Sequence, residues 1–147
     1  MIQKIKVETI LESENSEDLF KKYFAEGSRG LLPEVKVCKP VFYSLEQAGL
    51  LDCFGVFKDS KLVGFIIAST SVLPHYSCLG TTIMSIYIDK EYRKFGTAKE
   101  LITRVKYQAV NRGAKLLMLS SPIDSKFGNF AATLGFKKTN EFYGKAL

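Results

Sequence analysis

Residues that build metal centres and disulfide frameworks are scarce in this 147-residue chain, which has one histidine and three cysteines. Cys38, Cys53 and Cys78 are odd in number and form no Cys-x-x-Cys pair. That argues against a disulfide framework or a zinc ribbon and suits free thiols in a reducing compartment, hence a cytoplasmic protein. His75 and Cys78 supply two ligand types and no third group, so no metal site is expected. No apolar run approaches the roughly 18 residues of a membrane span, and Lys4, Lys6 and Glu8 interrupt the apolar residues near the N-terminus. Four prolines, no internal repeat and no low-complexity stretch leave no linker, and residues 1–147 read as one domain. The chain also lacks an ordered row of aromatics interleaved with basic residues and any nucleic-acid motif, so nucleic acid is not the expected partner.

What is present is a core-forming composition, 46% hydrophobic, and a cationic surplus of 21 Lys and Arg over 15 Asp and Glu, net +6. The charge suits an anionic ligand, a nucleic acid or an acidic partner without choosing among them. The stretch that organises the rest is Gly80 to Lys99. Thr82 to Asp89 places Met84, Ile86 and Ile88 on one face and Ile83, Ser85 and Tyr87 on the other, the two-sided apolar pattern of a central strand. From Ala98 the apolar positions Ala98, Leu101, Ile102, Val105 and Ala109 follow helical spacing, with Gly113 as a stop. Between strand and helix lies Arg93-Lys94-Phe95-Gly96-Thr97-Ala98. There Gly96 lets a ligand approach the backbone, the helix start leaves amide N–H groups without partners, and Arg93, Lys94 and Lys99 add positive charge. Together they describe a seat for phosphate.

Arg93-x-x-Gly96-x-Ala98 after a strand resembles the acetyl-coenzyme-A signature of the GNAT superfamily of N-acetyltransferases. Ile86-Tyr87-Ile88 with Glu91-Tyr92-Arg93 resembles that family's strand and loop. Leu134-Gly135-Phe136 resembles its second landmark, a helix ending in Gly-Phe. The resemblance covers about residues 52 to 147.

Taken in order, Ile2 to Ile10 alternates like a half-exposed strand, and Asn15-Ser16 caps a first helix carrying Leu19, Phe20, Tyr23 and Phe24 before Gly27. Residues 28–40 read as a functional loop, on the acceptor side of the cleft by the resemblance, and 41–48 as a second short helix. Cys53 to Phe57 and Leu62 to Ser71 form a hairpin around Lys58-Asp59-Ser60-Lys61. After the long helix, Lys115 to Ser120 reads as a buried strand reached by a crossover. A short helix with Phe127, Phe130, Ala131 and Leu134 follows, started by Asp124 or Ser125, and Phe136 to Leu147 supplies a last strand or two short ones. The order βααβββαβαβ predicts an α/β (α+β) fold. As the resemblance implies, its mixed, mostly antiparallel sheet is flanked by about four helices.

The resemblance implies that two neighbouring strands splay apart and that the pantetheine arm of coenzyme A pairs with backbone around Ile86, Tyr87 and Ile88. A bulge near Ser85 would then help hold the thioester carbonyl. The pyrophosphate falls on Arg93, Lys94, Phe95, Gly96, Thr97, Ala98 and Lys99, with Ser121 and Phe130 completing the slot. Replacing Arg93 by glutamate should therefore abolish coenzyme binding with little effect on the fold.

The reaction implied is direct transfer of acetyl from acetyl-CoA to an amine of a small molecule, peptide or protein. The competing reading is a basic α/β binding module, for nucleic acid or a protein partner, with a vestigial coenzyme site. A homodimer is compatible with either. Many family members protonate the departing thiolate with a Tyr, and here Ala131 stands at that position. Tyr143, Tyr87 or Ser121 are the substitute acids, or departure is unassisted. Tyr87, Glu46 and His75 are the candidate bases, His75 because its unperturbed pKa lies near neutrality.

Overall fold

The structure, a computed structural model, describes residues 1–27, 31–32, 36–94 and 96–147. Its elements are β1 (Ile2–Ile5), α1 (Val7–Glu12), α2 (Ser16–Gly27), α3 (Lys39–Gln47), β2 (Leu51–Lys58), β3 (Lys61–Leu73) and β4 (Cys78–Ile88). A 3-10 turn at Lys90–Tyr92 follows, then α4 (Thr97–Asn111), β5 (Leu116–Leu119) and α5 (Phe127–Thr133). The five strands lie in the order β1-β2-β3-β4-β5. All neighbours are antiparallel except β4 and β5, which α4 joins as a parallel crossover.

Helices cover both faces of the sheet, which is why β3 is buried almost throughout its middle. Val7, Ile10 and Leu11 of α1 and Leu19 and Phe20 of α2 pack with Phe65, Ile67 and Tyr87 on one face. Leu101, Ile102 and Val105 of α4 pack with Ile66, Ala68, Ile83 and Ile88 on the other, with Phe127 and Phe130 at the margin. Asp52 fastens the far end of α4 to the sheet. Its side chain is 3% exposed and accepts from Arg112 Nε at 2.7 Å, while Lys4 Nζ lies 3.0 Å away as a second ion pair.

Three expectations need correction. The first strand stops at Ile5, and Val7 to Glu12 is helical, so three helices precede β2. Val7, Ile10 and Leu11 sit at i, i+3 and i+4, and burying that stripe outweighs the short alternation through Ile5 and Val7. The strand expected over Phe136 to Leu147 is absent: those residues are irregular, with Phe142 and Tyr143 exposed. The polar run from Lys137 to Glu141 has no apolar face to bury against a neighbour. Third, Ile83 does not share a face with Ser85 and Tyr87. Ile67 pairs with Ser85 and Ala68 with Ile83, so Met84 is an extra residue in β4. This bulge turns Ile83 over to join Ile86 and Ile88 against α4.

Candidate active site

β4 and β5 are paired only from Gly80 with Leu116 to Ile83 with Leu119. β5 ends there, and β4 continues for five residues to Ile88 with that edge unpaired among the described residues. The parting point coincides with the bulge at Met84. From Met84 to Ile88 the free edge measures about 13 Å at 3.3 Å per residue. It offers backbone donors and acceptors to an extended chain with amides of its own.

The free edge runs toward the N-terminus of α4. Gly96 occupies the cap position with φ +95°, a left-handed conformation that suits glycine, and among the described residues no side chain caps the helix. The Thr97 N–H already donates to the Lys94 carbonyl at 3.2 Å, so what the start of α4 offers an anion is the N–H groups of Ala98 and Lys99 and the positive end of the dipole. Lys94 and Lys99 are exposed there and have no carboxylate partner among the described residues. Thr97 and Ala98 are half-buried, and Phe95 lies outside the described residues.

Arg93 is placed differently from the sequence expectation. Its Nε donates to the Ile88 carbonyl at 2.8 Å, its Nη2 contacts both Glu26 carboxylate oxygens at 2.8 Å, and its guanidinium lies 5.5 Å from the Tyr87 ring centroid. It is a clamp between the end of β4 and α2 rather than a loose cation on a loop. Reversing its charge would place a carboxylate beside Glu26, so Arg93→Glu cannot leave the local structure unchanged.

The proton-transfer candidates scatter. Tyr87 lies among Tyr23, Phe65 and Arg93 and is 5% exposed. Burial first, then the charges of Asp89 and Glu26, push its hydroxyl pKa up, which opposes a role as base. A cleft of about 200 Å³ opens beside it, lined by Lys22, Ala25, Glu26, Tyr87, Asp89 and Lys90. Glu46 accepts the Val7 N–H at 2.6 Å and so closes the start of α1. It lines a separate hollow with Lys4, Lys6 and Cys53, on the β1–β2 side of the sheet and away from the parting strands.

His75 is exposed in the turn between β3 and β4, about 20 Å along β4 from the bulge by strand rise. Tyr143 is 89% exposed and donates to Glu141. The structure brings none of these three to the gap. Ala131, at the position of the expected acid, is buried in the core and holds no proton to give.

Ser121 and Phe130 stand on the stretch that follows β5. Ser121 Oγ lies 3.2 Å from Ser125 Oγ, which in turn accepts the Phe127 N–H at 3.1 Å and starts α5. Asp124 is left exposed at φ +62°, outside that cap. Phe130 packs 5.8 Å from Phe127 at the edge of the α4-side core.

The acetyltransferase (GNAT) family model matches residues 9–136. The chain belongs to the GNAT acetyltransferase family. It is thus an acetyl-CoA-dependent N-acetyltransferase. No curated protein matches its sequence. A ribosomal-protein-alanine N-acetyltransferase from Brucella melitensis biovar Abortus 2308 is similar in structure, with TM-score 0.68 and 20% identity over 98% of this chain and 96% of that one. The aminoglycoside N-acetyltransferase AAC(6')-Iy, solved in complex with CoA, gives TM-score 0.71 and 22% identity over 100% of both chains. An aminoglycoside acetyltransferase from an uncultured soil metagenomic sample, solved with sisomicin, gives 0.73 and 14% over 100% and 96%. At such identities the likeness shows the GNAT fold and leaves the acceptor open.

One residue of this GNAT chain escaped the sequence reading. Tyr23 of α2 was legible only as part of an apolar helical stripe, yet its hydroxyl lies 3.4 Å from the carbonyl of Met84, at the bulge. Its ring is held by Phe24, Phe65 and Tyr87 at 4.9, 6.1 and 6.4 Å between centroids. Nothing local in the sequence marks that placement, because α2 and β4 are brought together only by the core. Among the described residues no helix is long and apolar enough to cross a membrane.

Proposed function

We propose that this single domain acetylates an amine by direct attack on acetyl-CoA within a ternary complex, in a reducing, cytoplasmic setting. The observation that supports this most is the parting of β4 from β5 at the Met84 bulge, with the freed edge leading to the uncapped start of α4. In this reading the backbone from Met84 to Ile88 holds the pantetheine arm, and Phe130 and Ser121 bound the slot from the other side. The N–H groups of the first turn of α4, with Lys94 and Lys99, hold the pyrophosphate. The interrupted ladder at Met84 leaves backbone polar groups to receive the thioester carbonyl. The amine approaches from the α2 face, where Tyr23 and Tyr87 stand. Acetyl-CoA supplies an activated acetyl group and a thiolate leaving group. The three free cysteines fit the compartment, Cys53 being buried with its thiol pKa pushed up to about 12, first by burial and then by the charges of Glu46 and Asp52.

Thermal melting with and without acetyl-CoA tests the reading. Ligand at about 100 times its dissociation constant adds about 2.7 kcal/mol to the folded state. For a chain of this size that is a rise of about 5 to 10 °C. The Lys94→Glu, Lys99→Glu double variant should melt like wild type and lose most of the rise, because both side chains are exposed and have no carboxylate partner among the described residues. An unchanged melting temperature for the wild type would overturn the coenzyme site. Sisomicin and a peptide with an N-terminal alanine, suggested by the structural relatives, are the first acceptors to try.

A further inference from the structure

The missing acid on α5 leaves the departing thiolate without a donor from that helix, and the opposite face of β4 carries one. Tyr23 is the phenol that the described structure places at the strand parting: its hydroxyl meets the carbonyl of Met84, the bulged residue, at 3.4 Å. That distance is long for an O–H donor, so the bond is weak and the proton can be redirected to a better acceptor. The other candidates lie elsewhere. Tyr143 is exposed on the C-terminal segment, and Tyr87 sits three residues further along β4, beneath Arg93.

Building on the acetyl-CoA reading above, we propose that Tyr23 is the catalytic acid of this chain, donating its hydroxyl proton to the coenzyme A sulfur as the thioester breaks. The acid is thereby supplied from α2 across the sheet, replacing the one that Ala131 cannot provide. As the amine nitrogen bonds to the acetyl carbon, the C–S bond breaks and its electron pair leaves on sulfur. The Tyr23 proton passes to that sulfur, giving the free thiol. The phenolate then regains a proton from the nitrogen, which sheds it on becoming an amide, so the residue is restored and the products are an N-acetylated amine and CoA.

Two properties of the site fit this role. Phe24, Phe65 and Tyr87 hold the ring, so the hydroxyl is aimed without the entropy cost of a mobile side chain. A phenol, with an ordinary pKa of about 10, carries its proton at neutral pH, so the hydroxyl has one to give, and burial, which pushes that pKa up, keeps it protonated before the reaction.

Tyr23→Phe keeps the ring contacts and removes only the hydroxyl, and circular dichroism and thermal melting verify that it folds. The first measurement is calorimetric binding of CoA and of desulfo-CoA, which lacks the sulfur. Wild type should prefer CoA, and Tyr23→Phe should bind CoA about 3- to 10-fold more weakly, the worth of one hydrogen bond, with desulfo-CoA unchanged. The second is CoA release from acetyl-CoA with sisomicin, with an alanine-terminated peptide, or with water alone, each of which expels the same thiolate. Here Tyr23→Phe should be slower by about 100-fold. Both effects together support the assignment, and either one missing overturns it. A wild type that binds acetyl-CoA but releases no CoA under any of these conditions also overturns it while leaving the coenzyme site intact. A wild type that binds no acetyl-CoA defeats the proposed function itself.

Discussion

Replacing Arg93 with alanine should weaken the fold and spare the coenzyme, the reverse of what its place in the Arg-x-x-Gly-x-Ala pattern suggests. The guanidinium makes a two-point contact with Glu26, donates to the Ile88 carbonyl and lies over the Tyr87 ring. The ion pair is part-exposed, 42% for Arg93 and 37% for Glu26, so it is worth no more than about 1 kcal/mol. A charged donor on the Ile88 carbonyl adds about 1.5 kcal/mol, and the ring contact about 0.5 kcal/mol. A total near 2 to 3 kcal/mol corresponds to a fall of about 8 °C in melting temperature. Glu26 keeps Lys90 at 3.7 Å, so removing Arg93 strands no charge. Differential scanning fluorimetry of Arg93→Ala with and without acetyl-CoA reads both quantities in one experiment. The coenzyme-induced rise should survive, since backbone N–H groups, Lys94 and Lys99 are untouched. A variant that melts like wild type and shows no rise would mean that Arg93 leaves Glu26 to serve the phosphates, and the clamp argument would be wrong.

Two further outcomes concern groups outside the gap. Asp52→Asn removes the carboxylate that ties Arg112 and Lys4 together and should cost about 3 kcal/mol, the lower end of the range for breaking a buried pair, because both cations reach solvent. Burial would raise the Asp52 pKa, but the hydrogen bonds and charges of Arg112 and Lys4 outweigh it and hold the native value below the ordinary one. The stabilisation is therefore complete above the unfolded pKa of about 3.9 and is lost as pH falls through the lower native value, so urea midpoints of wild type and variant should converge in acid. Glu46→Gln retains an acceptor for the Val7 N–H but loses its charge. It should cost about 1 kcal/mol in chemical denaturation and leave the pH dependence of CoA release unaltered; a shifted profile would return Glu46 to the chemistry.

Much of the architecture around the gap is written locally. The strand through Ile88, the break at Asp89 to Arg93 and the stripe Leu101, Ile102, Val105 and Ala109 are patterns with periods of two and 3.6 residues, complete within twenty positions. They determined β4, the uncapped start of α4 and the family, just as Ser125 foreshadowed the start of α5 and Ala131 showed that the usual acid is missing. What the tertiary structure alone decided depends on partners far away in the chain. The bulge that the family resemblance implied near Ser85 falls at Met84, and Ile83 turns over, through the register with Ile67 and Ala68. Arg93 finds Glu26 67 residues back, and Glu46 finds Val7 39 residues back, so each is held by a structural contact that its own stretch of sequence does not show. Tyr23 reaches Met84 from 61 residues away and enters the site unannounced. A short window records which face a side chain takes on its own element, whereas what that face meets is set by the order of strands and the helices packed upon them.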